Sequence, residues 1–74
     1  MDNITNIFVF RTNINTLYDK LVVKEILGCE EDILEWSVDL QDCDRVLRVV
    51  TPTKTVTEII ELITETGYEC HELD

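Results

Sequence analysis

The sequence predicts an α+β domain with the element order β-α-β-β-α-β, and three observations predict it. Apolar residues recur at helical spacing over residues 17–27 and again over 56–63, and candidate strands at 4–10, 34–40, 46–50 and 68–73 flank them. Glycine follows each helical stretch, at Gly28 and Gly67. Between the helices, Leu34, Trp36, Val38 and Leu40 alternate with Glu35, Ser37 and Asp39, the period-two pattern of a strand with one buried face.

The elements follow in order. Ile7-Phe8-Val9-Phe10 is apolar at every position, which suits a central strand. Arg11-Thr12-Asn13-Ile14-Asn15-Thr16 is a polar connection dense in helix-capping residues, and it leads into a helix carrying Leu17, Leu21, Val22, Ile26 and Leu27. Gly28 suits a left-handed cap, and Cys29-Glu30-Glu31-Asp32 reads as a solvated loop. After the alternating strand, Gln41-Asp42-Cys43-Asp44 makes the turn and Val46-Leu47-Arg48-Val49-Val50 returns beside it. Pro52 ends that pairing, because proline has no N–H to donate. Thr55-Val56-Thr57-Glu58 is a capping box, and the second helix turns Val56, Ile59, Ile60 and Ile63 inward. A short strand from Tyr68 to about Leu73 closes the chain. Right-handed crossovers then predict a ferredoxin-like sandwich over residues 1–74: an antiparallel sheet in the order 4-1-3-2 with two helices on one face.

Seventy-four residues make one small domain, which hides only ~60–65% of the surface its unfolded chain exposes. With 45% hydrophobic residues, two glycines and one proline, the chain is neither disordered nor a membrane span. Six Lys and Arg against sixteen Asp and Glu give a net charge of −10, a surface that repels nucleic acid and anionic membranes. Three cysteines without a Cys-x-x-Cys spacing form no disulfide framework, and the first residues resemble no secretory leader. A cytoplasmic setting is the expectation.

Trp36-Ser37-Val38-Asp39-Leu40 and Glu65-Thr66-Gly67-Tyr68-Glu69, in this order and at this distance, resemble the second strand and the Gly-Tyr junction of heavy-metal-associated, copper-chaperone-like domains. The resemblance implies the ferredoxin-like fold and a Met-x-Cys-x-x-Cys loop between the first strand and first helix, where two thiolates hold Cu(I). Here Arg11 stands at the methionine position, and Asn13 and Thr16 stand at the two cysteine positions. Neutral oxygens are poor ligands for a soft cation, so the resemblance implies a degenerate member without the dithiolate site and without a cofactor.

Other ligand sets are sparse. Cys43 in the turn and Cys70 in the last strand belong to opposite sides of the predicted sheet, roughly 10–15 Å apart. Cys70 and His71 are adjacent in a strand and point to opposite faces. The acidic turn from Asp39 to Asp44 lacks the order of a calcium loop and reads as turn chemistry. Catalysis has no triad, no phosphate loop and one histidine, so no enzyme is expected.

Two surfaces stand out instead. Glu58, Glu61 and Glu65 form one acidic stripe on the second helix, suited to steering a basic partner. Val46 and Val50, with alternate residues of the first strand, make the open sheet face apolar, which a homodimer packed sheet to sheet would cover. The expected function is non-catalytic protein contact, with a regulatory partner or a second copy. The alternative is metal binding through Cys43, Cys70 or His71, including across a dimer interface.

Overall fold

In the computed structural model, which describes residues 5–73, the elements are β1 (Asn6–Thr12), α1 (Leu17–Gly28), β2 (Glu35–Val38), β3 (Leu47–Thr51), α2 (Val56–Thr64) and β4 (Cys70–Glu72). All strand pairs are antiparallel and the sheet runs β2-β3-β1-β4, the expected order.

The register decides which residues share a face. Phe8 lies opposite Val49, Phe10 opposite Leu47, Thr12 opposite Cys70, Val38 opposite Leu47 and Trp36 opposite Val49. Those residues line the inner face, where Phe10, Val38, Leu47, Val49 and Cys70 meet Val23 and Leu27 of α1 and Ile59 and Ile63 of α2 in one core. Both helices therefore cover the same side of the sheet. The outer face carries Ile7 opposite Val50, Val9 opposite Arg48 and Arg11 opposite His71.

Local chemistry fixes the helix ends. The Thr55 hydroxyl accepts the Glu58 N–H (3.2 Å) while the Glu58 carboxylate accepts the Thr55 N–H (2.8 Å). A second such box, Thr16 with Asp19, opens α1. Gly67 has φ +97°, a left-handed conformation that a side chain would strain, and it turns the chain from α2 toward β4.

Several expectations are corrected. Position 4 lies outside the described residues. Strand β1 runs on to Thr12, so Arg11 belongs to the sheet and not to the loop. Gly28 ends α1 without a left-handed turn; the following Cys29 is right-handed at φ −82°, and the Glu30 N–H reaches the Leu27 carbonyl. Strand β2 is shorter than the alternation suggested. The Leu34 N–H reaches Val50 O, a step off register, and Leu34 is 59% exposed. The inward face of α1 is set by Val23 and Leu27, while Leu17 (73%) and Leu21 (58%) lie exposed. The Glu30–Asp32 loop is not merely solvated. Lys54 Nζ sits 2.9 Å from Glu30 and 3.2 Å from Asp32.

Candidate functional site

Three connections meet at one end of the sheet: the loop from β1 to α1, the turn from β2 to β3 and the junction from α2 to β4. Thr12 is the hinge between the first two. It is buried, its N–H donates to Asp44 O (3.0 Å), its hydroxyl donates to Arg45 O (2.6 Å) and the same oxygen accepts the Ile14 N–H (3.2 Å). Ile14 is fully buried, so it pins the loop into the core. Arg45 adopts φ +46°, and its guanidinium donates to Asn15 Oδ1 (3.2 and 2.7 Å) and to Asp42 O (2.7 Å).

The side chains at the two positions where the resembled family has its cysteines are exposed and bonded to backbone N–H groups. Asn13 Oδ1 accepts the Glu69 N–H across the third connection (2.8 Å). Thr16 Oγ1 accepts the Asp19 N–H (3.0 Å), and Asp19 Oδ2 accepts the Asn15 and Thr16 N–H groups (3.1 Å each). Tyr68 then donates its hydroxyl to Asp19 Oδ1 at 2.8 Å. Both oxygens are hard, neutral and already engaged, which suits a brace better than a soft-metal clamp. At the opposite end, buried Thr51 plays the part of Thr12, donating to Asp32 O (2.6 Å) and accepting the Lys54 N–H (3.2 Å).

Two titratable groups report on this brace. The Tyr68 hydroxyl, followed by the Asn15 N–H, holds the Asp19 carboxyl below its ordinary range, and the Asp19 carboxylate pushes the Tyr68 hydroxyl up. A lowered acid stabilises the fold above its unfolded pKa, and that contribution is lost as pH falls through the lowered value. A raised phenol stabilises below its unfolded pKa, and the contribution is lost as pH rises through the raised value. Tyr68→Phe is thus expected to lower the urea midpoint at pH 7. Its gap from wild type should close as pH falls through the lowered Asp19 value and as pH rises through the raised Tyr68 value. Urea titrations across pH would read it, and a gap constant with pH would mean that the bond does not form.

The sequence-derived ligands fall in different settings. Cys43 is exposed in the β2–β3 turn. Cys70 is buried against the core, and desolvation pushes its thiol up to about 11, so it stays protonated at neutral pH. His71 is exposed on the outer sheet face opposite Arg11. Among the described residues, the side chains brought within metal-holding distance are Asp42, Cys43 and Asp44, whose ligand atoms lie within 4.8 Å of one another. Asp42 Oδ1 also accepts the Asp44 N–H at 2.8 Å, the local bond expected of an aspartate turn.

Glu58, Glu61 and Glu65 line one shallow depression beside Lys54 and Leu62. On the outer sheet face Val46, Val50 and Val9 are half-buried and Ile7 is 55% exposed, interleaved with Arg48 and Arg11. One further surface went unforeseen. A groove of about 560 Å³ runs between α1 and β2, lined by Leu17, Lys20, Leu21, Lys24, Trp36 and Ser37. Its only signal in the sequence is that α1 has apolar residues around more of its circumference than one buried stripe needs.

No helix of the described residues is long and apolar enough to cross a membrane. No family model matches the chain, and no curated protein matches it. Among solved structures it is similar to the crystal structure of oxidised MerP from Ralstonia metallidurans CH34, with a TM-score of 0.81 at 14% identity. That match covers 96% of this chain and 100% of the other. At such identity the likeness is one of fold: the chain has a ferredoxin-like α+β fold that matches that structure over nearly its whole length.

Proposed function

We propose that this chain is a non-catalytic domain that works by protein contact, with its β1–α1 loop given over to holding the fold together. The observation that carries this reading is the engagement of Asn13 Oδ1 by Glu69 and of Thr16 Oγ1 by Asp19. Both groups at the expected ligand positions are bound to backbone, and neither is a thiolate. What the surface offers is contact area. The Glu58, Glu61 and Glu65 stripe suits a basic partner, and the half-buried valines of the outer sheet face suit a second copy or a regulatory protein.

An anaerobic titration of the reduced protein with Cu(I) and Zn²⁺ against a competing chelator tests the reading. Binding no tighter than that of free cysteine is expected for both ions. Stoichiometric sub-micromolar uptake would overturn it. The second reading, a metal protein with rearranged ligands, is favoured by the proximity of Asp42, Cys43 and Asp44. It predicts uptake that Cys43→Ser removes, with Cys70 and His71 contributing only if a second copy brings them together.

A further inference from the structure

We infer that the groove between α1 and β2 receives an extended segment of a partner protein that carries both apolar and acidic residues and adds as a strand to the free edge of β2. The inference rests on the protein-contact reading and names the surface and the chemistry of the contact.

The argument begins with α1. Val23 and Leu27 face the core, yet Leu17, Tyr18 and Leu21 remain exposed on the same helix. Leu17 and Leu21 stand one turn apart and, with half-buried Trp36, give the groove an apolar floor. Apolar side chains gathered in a concave surface are what a partner's side chains fill, whereas single scattered ones need no explanation.

Charge selects the occupant. The chain has sixteen acidic residues against six basic ones, yet no carboxylate lines this groove, and Lys20 and Lys24 do. The two lysines are one turn apart, so both ammonium groups lie along the same rim. A segment with carboxylates would find complementary charge here, while a basic one would meet repulsion.

Backbone geometry selects the conformation. β2 ends the sheet, pairing with β3 on one side only among the described residues, and no proline interrupts it. Trp36 and Ser37 of this edge line the groove. An added strand would make main-chain hydrogen bonds to β2 and place alternate side chains over Leu17 and Leu21, the usual division of labour in strand addition.

Selection of random twelve-residue peptides by display on the folded protein tests the inference, followed by fluorescence polarisation with the selected peptides. The selected pool is expected to be enriched in Asp and Glu interspersed with Leu, Ile, Phe or Trp. Leu21→Asp and the pair Lys20→Glu with Lys24→Glu should each weaken binding at least about tenfold, with Glu72→Lys, exposed on the opposite sheet edge, as the unchanged control. Amides of Glu35–Val38 should gain protection from hydrogen exchange in the complex. An empty selection, a pool without acidic enrichment, or affinities unmoved by the groove substitutions would overturn the inference. So would amide shifts at Trp36 and Leu21 that vary on diluting the protein alone, since a second copy would then be the occupant. Peptides that bind elsewhere would sink the groove and leave the protein-contact reading standing. Tight metal uptake in the titration above would sink that reading without moving these affinities.

Discussion

With Asn13→Cys and Thr16→Cys introduced together, the reduced protein is expected to take up one Cu(I) per chain, where the wild type takes up none beyond free-thiol binding. Both positions precede α1, with Thr16 as its N-cap. A thiol at a helix N-terminus is more readily ionised, because the free N–H groups and the helix dipole favour the thiolate. Two thiolates three residues apart then offer a soft cation the ligands that an amide and a hydroxyl cannot. The fold should survive the change. Losing the Thr16 cap costs about 1 kcal/mol. Losing the bond from the Glu69 N–H to Asn13 costs about another 1 kcal/mol. A domain of this size has a stability on the order of 4–11 kcal/mol, so the variant remains folded. Native mass determination counts the metal and a urea titration reads the cost. A folded double variant that still refuses Cu(I) would show that the loop backbone excludes the ion, contrary to the account based on side chains.

The largest loss of stability is expected from Phe10→Ala. Phe10 is fully buried in the central strand, opposite Leu47 on one side and Glu72 on the other. Its ring lies 6.5 Å from that of Phe8, tilted by 59°. Truncation removes the apolar contacts of a whole ring and leaves a void under both helices, at a cost of about 3–5 kcal/mol. In a domain this small, such a loss lowers Tm by roughly 12–40 °C. Phe8→Ala, at a half-buried position, should cost distinctly less. Thermal unfolding followed by circular dichroism compares the two. Equal losses would mean that the core does not centre on Phe10.

How much of this was legible in the chain varies by element, for identifiable reasons. The capping box at Thr55 and Glu58 and the inward set Ile59 and Ile63 follow from interactions three or four residues apart, so their pattern is local, although α2 ends at Thr64, short of the glycine expected to stop it. The alternation around Trp36 and Val38 is equally local, and it gave the correct inner face. The α1 face was not legible, because residues 17, 18, 21, 22, 23, 26 and 27 are all apolar and several stripes satisfy the same spacing. Only packing against the sheet selects Val23 and Leu27 and leaves Leu17 and Leu21 to line a groove.

The candidate site divides in the same way. That Asn13 and Thr16 offer no thiol is visible in the residue types alone. What they do instead is not, since Asn13 reaches Glu69 across 56 positions and Thr12 reaches Arg45 across 33. Polar side chains in such long-range bonds follow no period, and Ile14, flanked by asparagines, gives no local sign of its full burial. The sequence by itself determined the order of the elements and the capping box that opens α2, because each depends on neighbours within a turn or a strand step. Only the tertiary structure decided which apolar residues stay uncovered and which polar ones tie the three connections together, because those outcomes depend on what the folded chain brings alongside them.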